Sequence, residues 1–359
     1  MDIDSESAAK QYEIIQAIGR RILSGTWAPG ARIPPMSQLR LEFGVAIATM
    51  QRAMDQLQQG GFLSAHRGRG TFVNPDAACL HQLAMVFPAA RGAHNWSLLY
   101  EALLRSSETH QGHTFRHYFN LGGKPDTAEL ARLERDVETF RVGGIFFAVN
   151  PFELAGSPVL AETLALPRLA VMSSSASYRE IMSIYPELES FADCARDHIV
   201  ASGLHKVAVL TTVHYQHPIL TRIRDVLSPH DITVPDKWVQ GLQWQDPLWA
   251  RNCILNFFDL QAAEHPEAIL ITDDHLVAGV IAGLDAVGKV PGRDVAVVAY
   301  INVPSPNPMV PGVVYIGADI PALLEHGVMM LENRRLGRPC ARCVNMRCVF
   351  FDTATAETR

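Results

Sequence analysis

The chain has 359 residues, too many for one ordinary hydrophobic core, so two or three domains are expected. It is 48% hydrophobic and 19% charged, a globular composition, and no apolar run reaches the roughly 18 residues that suggest a membrane span. The first residues, Met1-Asp-Ile-Asp-Ser-Glu-Ser7, are acidic and lack the basic and apolar parts of a signal peptide, so a soluble cytoplasmic protein is expected.

The net charge of −6 hides an asymmetry. Residues 10–73 carry Lys10, Arg20, Arg21, Arg32, Arg40, Arg52, Arg67 and Arg69 against Glu13, Glu42 and Asp55. That segment is +5, which leaves −11 for the remainder. A basic head on an acidic body suits a protein whose head alone meets nucleic acid.

In chain order, the first predicted helix runs from Lys10 to Ser24, with Ile14, Ile18 and Ile22 on one face. Gly25 ends it, and Pro29-Gly30 makes a turn. A second, short helix covers residues 37–43, with Leu39 and Phe43 facing inward, and Gly44 allows a tight turn. A third covers residues 48–59, with Met50, Ala53, Met54 and Leu57 on its buried face. Gly60-Gly61 stops it. Then Leu63-Ser-Ala-His-Arg-Gly-Arg-Gly-Thr-Phe-Val73 places a basic, glycine-punctuated tip between two apolar runs, the pattern of a β-hairpin wing.

The string Gly25-Thr-Trp-Ala-Pro-Gly-Ala-Arg-Ile-Pro34, with Leu39, Phe43-Gly-Val45, Thr49, Ala53, Leu57, Gly61-Phe-Leu63 and Gly68-Arg-Gly-Thr-Phe-Val73, resembles the GntR winged-helix domain. The resemblance implies a dimeric bacterial transcription regulator. Its third helix would enter the major groove and its wing tip the minor groove. The DNA-contacting residues it implies are Ser37, Thr49, Gln51, Arg52, His66, Arg67, Gly68, Arg69 and Gly70. Three arginines usual in the family are absent: Pro35-Met-Ser37 replaces a Ser-Glu-Arg run, Ala46-Ile47 replaces Ser/Thr-Arg, and Gln51 stands where another arginine is usual. Arginine reads guanine and glutamine can read adenine, so a changed operator is expected. Thr49 also fits a helix N-terminal residue, and Gln51 and Arg52 also fit solvated surface.

After a linker at residues 75–82, apolar strand-like runs alternate with helices. Strands are predicted at 83–87, 143–149, 168–172, 206–210, 268–272 and 294–299, and helices at 97–110, 127–140, 191–202 and 275–287. Continuous apolar strands joined by helices mean parallel sheets covered on both faces, and two such sheets fit the length. Three segments resemble the periplasmic-binding-protein-like effector domain of the LacI/GalR family: Asp197-His-Ile-Val-Ala-Ser-Gly-Leu-His-Lys-Val-Ala-Val-Leu210, Ala268-Ile-Leu-Ile-Thr-Asp-Asp-His-Leu-Val-Ala-Gly279 and Gly288-Lys-Val-Pro-Gly-Arg-Asp-Val-Ala-Val-Val-Ala-Tyr300. The expected fold is an α+β winged helix-turn-helix head at 10–74, followed by a two-lobed α/β periplasmic-binding-protein-like domain at 83–359. A GntR head on this body is similar to arabinose-repressor-type regulators.

That resemblance implies a small polar effector, sugar-like, bound between the two lobes, with double-stranded operator DNA and a second copy of the chain as partners. The effector-binding residues it implies are Asp274, Arg222, Asn302 and Ser190; by residue type, Trp96 and Trp244 are candidates to stack on a sugar face. Asp274 also fits a helix N-cap, Arg222 a surface ion pair, and the two tryptophans packing. No enzyme, membrane contact or cofactor is expected: no nucleophile elbow, phosphate-binding glycine loop or His-rich metal motif is present, and Lys124, Lys206, Lys237 and Lys289 sit in no Schiff-base setting. Cys340, Cys343 and Cys348 form C-x2-C-x4-C without a nearby fourth ligand, so thiols rather than a metal site are expected.

Overall fold

The computed structural model describes residues 3–161, 166–171, 180–212, 216–243, 247–259 and 264–351. The head consists of α1 (Ile3–Leu23), α2 (Met36–Phe43), α3 (Ile47–Gln59) and a hairpin of β1 (Leu63–His66) and β2 (Gly70–Val73). α1 starts at Ile3, ahead of the predicted start at Lys10. Ile14, Ile18 and Ile22 are buried with Leu39, Met50, Met54 and Leu57, so the three helices share one core. The Arg21 guanidinium lies over the rings of Trp27 (5.2 Å) and Phe43 (5.5 Å) and pairs with Glu42, which braces α1 against α2.

Residues 75–82 hold a one-turn helix, α4 (Ala78–His81), and the first residue of β3 (Gln82–Val86). The chain continues through α5 (Leu98–Glu108), β4 (Thr114–Tyr118), α6 (Thr127–Glu138), β5 (Ile145–Phe147), β6 (Arg168–Val171), β7 (Ile181–Glu187) and α7 (Leu188–Ala201). There follow β8 (Val207–Thr212), α8 (Gln216–Leu227), β9 (Val239–Leu242), α9 (Pro247–Phe257), β10 (Ala268–Ile271) and α10 (Val277–Ala286). β11 (Ala296–Val303), β12 (Val313–Asp319), α11 (Ile320–Arg335), β13 (Cys343–Arg347) and β14 (Val349–Phe351) complete it.

These strands form two six-stranded sheets, ordered β4-β3-β5-β6-β7-β13 and β9-β8-β10-β11-β12-β14. The central pairings are parallel, and β14 joins antiparallel. The central strands are buried on both faces, as the continuous apolar runs require. The body is therefore two α/β lobes. Two compact units result: residues 1–91, 107–184 and 325–344, which include the head and most of the first sheet, and residues 92–106, 185–324 and 345–359.

Within the first unit the head packs on α6. Phe140 has a left-handed backbone (φ 54°), and its ring fills the notch over Gly19, where a Cβ would stand 2.3 Å from a ring carbon. Phe62, at the base of the wing, meets the same ring edge-on at 6.0 Å, and Gln16 Nε2 donates to the Glu138 carbonyl at 2.8 Å. Cys340 Sγ lies 3.8 Å from Met182 Sδ, and Cys343 is exposed. In the second unit Cys348 Sγ lies 3.4 Å from the Glu187 carbonyl oxygen, and burial pushes that thiol up to about 11. These partners make Cys340 and Cys348 packing thiols.

Candidate nucleic-acid interface and ligand site

The wing tip is a tight turn. Arg69 N donates to the His66 carbonyl at 2.9 Å, and Gly68 (φ 75°) and Gly70 (φ 109°) take backbone conformations that side chains disfavour. His66, Arg67, Gly68 and Arg69 are exposed. Gly70 also leaves room for Arg32, whose Nε would lie 2.7 Å from a Cβ there. Arg32, bridged to Phe72, thus adds a third guanidinium beside Arg67 and Arg69. In sequence Arg32 is only one more positive charge of the head, because only the pairing of β2 brings it to the wing.

On α3, Thr49 belongs to the buried face, at 6% exposure, while Gln51 and Arg52 face outward with Ile47, which is 62% exposed. Gln51 Nε2 donates to Asp55 Oδ1 at 2.7 Å, and Arg52 Nε reaches the Ala48 carbonyl at 3.4 Å. Ser37 is exposed at the start of α2. The head therefore presents a mixed polar and apolar helix face and, separately, a purely basic wing.

In the second unit, the carboxyl ends of β10 and β11 bring Asp274 and Asn302 together. Asp274 Oδ2 accepts from Asn302 N (3.1 Å) and Nδ2 (2.9 Å), and both residues are buried. Asn302 Oδ1 in turn accepts from Tyr300 Oη at 3.3 Å. The helix N-cap is Asp273, not Asp274: its Oδ1 accepts from His275 N (3.0 Å) and His275 Nδ1 (2.7 Å). His275 Nε2 accepts from Leu98 N at 3.2 Å, which places the ring proton on Nδ1, facing the two carboxylates. Asp273, Asp274 and His275 bring ligand-type atoms within 4.8 Å of one another, but a protonated Nδ1 offers a metal no lone pair.

The other implied contacts are engaged elsewhere. Ser190 Oγ donates to the Glu187 carbonyl (2.6 Å) and accepts from Cys348 N (2.8 Å), which ties the start of α7 to the residue before β14. Arg222 pairs with Asp193 at 2.7 Å on an exposed surface. Trp96 Nε1 donates to Glu101 Oε2 at 3.0 Å, and the ring meets Tyr100 edge-on. Trp244 lies outside the described residues. Asp273 and His275 were legible only as neighbours of Asp274; their acceptor and donor roles depend on the turn at residues 274–276.

Burial and the adjacent Asp273 charge push the Asp274 carboxyl up to about 6, although His275 and the N–H groups of Asn302 pull it down. Burial lowers the His275 ring, but its hydrogen bond to Asp273 and the two carboxylate charges outweigh that and raise it. The Leu98 N–H, which needs the Nε2 lone pair, resists that second proton. A carboxyl that holds its proton more tightly in the folded state weakens the fold as pH climbs through the window from about 4 to 6. Asp274→Asn is therefore expected to melt above the wild type at about pH 8, by about 2–4 °C, the shift that 1 kcal/mol gives a body of this size. It should lose about half of that margin near pH 5 and most of it near pH 4 by thermal scanning. Equal margins at these pH values would mean that Asp274 is not strained by its charge.

Residues 10–73 match a family model described as "Bacterial regulatory proteins, gntR family". The same region is 43% identical over 63 residues to the histidine utilization repressor of Klebsiella aerogenes, covering 17% of this chain and 26% of that protein. It is 31% identical over 78 residues to the HTH-type transcriptional repressor YtrA of Bacillus subtilis, covering 21% of this chain and 60% of that one. The chain thus spans less than two thirds of the curated relatives it matches. Among solved structures, a LacI family transcriptional regulator from Arthrobacter sp. FB24, in complex with lactose, superposes with a TM-score of 0.57 at 15% identity. That match covers 76% of this chain and 97% of the other, and at this identity it speaks for the fold alone. No described helix is long and apolar enough to cross a membrane. The chain thus joins a head of the gntR family, at residues 10–73, to a two-lobed α/β body with the fold of LacI-family regulators.

Proposed function

We propose that this chain is a ligand-responsive transcription repressor. As a homodimer it binds a palindromic operator through its heads, and a small polar effector bound in the body changes that binding. The observation that carries the reading is the wing: two glycines hold Arg67 and Arg69 outward on a helix-turn-helix head, with Arg32 beside them. Guanidinium groups on a narrow, exposed hairpin fit a phosphate backbone or a minor groove. The hydroxyl-accepting pair of Asp274 with Asn302 at the strand ends supports the effector half, since open α/β sheets bind ligands there.

The test is fluorescence anisotropy with duplexes from the DNA flanking the protein's own gene, titrated from about 50 to 200 mM salt. The expected result is one fragment bound at least about a thousandfold tighter than scrambled DNA. If no fragment is held above the scrambled control, the repressor reading fails. The chain would then be an interaction protein with a degenerate head, to which its Ala46-Ile47 and Gln51 substitutions would be suited.

A further inference from the structure

We infer that the effector carries a positively charged nitrogen, seated against Asp273 and Asp274, with neighbouring hydroxyls: a small amino polyol such as an amino sugar, in place of a neutral sugar. This rests on the reading of the body as a ligand-binding domain and deepens it.

The chemistry of the site is one-sided. Asp273 spends Oδ1 on the His275 backbone and ring, and Asp274 spends Oδ2 on the two Asn302 N–H groups. Asp273 Oδ2 and Asp274 Oδ1 remain as acceptors, the latter 3.5 Å from His275 Nδ1. Asn302 Oδ1, already taken by Tyr300, is another acceptor. Among the described residues, the charges that act most strongly on Asp274 are those of Asp273 and His275. Arg222, the implied cationic donor, is spent on Asp193. A buried carboxylate (Asp274) and a half-buried one (Asp273) beside a single imidazole therefore face any ligand as a net anion. A cation gains from such a site what a hydroxyl does not.

An independent observation points to an absent donor or acceptor. Thr212 ends β8 at 1% exposure, and its Oγ1 has no hydrogen-bond partner, whereas Thr211 Oγ1, one residue back, accepts from Thr272 Oγ1 at 2.8 Å. β8 and β10 run in register with Leu210 opposite Ile271. Thr272 N beyond the end of β10 still donates to the Leu210 carbonyl at 3.0 Å, and the same register carried one residue past Thr211–Thr272 would bring Asp273 level with Thr212. A buried hydroxyl left unpaired costs stability unless something completes it. A ligand hydroxyl next to an ammonium on Asp273 would do so.

The experiment is calorimetric titration of the full-length protein with D-glucosamine, D-galactosamine, D-mannosamine and the acyclic amino alditol D-glucamine. Each is compared with its neutral hydroxyl parent and, for the three hexoses, its N-acetyl derivative, at matched ionic strength. At least one amine is expected to bind more than tenfold tighter than its neutral counterparts. Asp273→Asn and Asp274→Asn should each remove that preference, and Thr212→Val should weaken binding while keeping it. Neutral sugars that bind as tightly as the amines, with loss in Asp274→Asn, would overturn the charge assignment and leave the ligand-binding reading standing. An amine that binds the two Asn variants as well as the wild type would show that the ligand sits elsewhere. Failure of all four amines to bind would overturn the inference outright.

Discussion

Gly317→Ala is expected to cost the second unit roughly 3 kcal/mol or more, at the upper edge of what overpacking produces. Gly317 lies in β12 opposite Ile301 of β11, and it also pairs with Val349 of β14. A Cβ at this position would stand 1.8 Å from the Ile301 carbonyl oxygen and 2.7 Å from its backbone carbon and nitrogen. Backbone, unlike the tip of a flexible side chain, cannot swing aside, so the strands must part. The residue after Ile301 is Asn302, whose backbone N–H and side-chain amide hold Asp274. The same substitution should therefore loosen the ligand site as well as the sheet. A melting transition lowered by on the order of 10 °C is expected, with the change confined to the second unit if the two units melt separately. Gly144→Ala, in the first unit, is the control: its Cβ would meet the Leu83 side chain at 3.2 Å, with the Pro167 carbonyl oxygen at an ordinary 3.4 Å and Leu331 at 3.5 Å, and should cost much less. A Gly317→Ala variant that melts within about 2 °C of wild type would show that β11 and β12 can separate cheaply.

The parts of this molecule with a strong local pattern were legible from sequence. The isoleucines of α1, the buried face of α3 and the glycine-bracketed hairpin each carry a period or a turn signal of their own. Central strands such as Val207–Thr212 and Ala268–Ile271 were legible because burial on both faces leaves no polar position. Edge strands were not. Thr114–Tyr118 mixes Thr, Arg and His with its aromatics, and Val239–Leu242 includes a glutamine and a glycine, because an edge position leaves part of each strand facing water. At the site, Asp274 was singled out by the resemblance to the LacI/GalR effector domain, not by any pattern of its own. The fate of Ser190 could not follow, because Cys348, the residue that occupies its hydroxyl, arrives from 158 residues away. Arg222 and Asp193 meet only because α7 and α8 pack side by side. Propensity and spacing report on the strand or helix that carries a residue; they say little about which distant group will claim its side chain.

Replacing both wing arginines, Arg67→Ala with Arg69→Ala, is expected to weaken DNA binding on the order of 10- to 100-fold at physiological salt and to lower the salt slope by about 1.8. α3 presents Ile47, 62% exposed, its Gln51 is held by Asp55, and the charge of its outward Arg52 is offset by the exposed Asp55. On the proposed reading this face contributes little electrostatic attraction and the wing most of it. Each phosphate neutralised releases counterions worth about 0.9 in the slope of log affinity against log salt, so two lost contacts set the expected change. The tip is exposed and its turn is held by backbone and glycine conformations, not by the arginine side chains. The variant should therefore melt within about 0.5 kcal/mol of wild type, which separates lost contact from lost fold. Arg32→Ala, measured beside it, gives the share of the third guanidinium. The outcome that would sink this picture is a double variant whose salt slope matches wild type. DNA attraction would then reside on α3 or on Arg32, and the exposed arginines of the turn would be ordinary solvated surface.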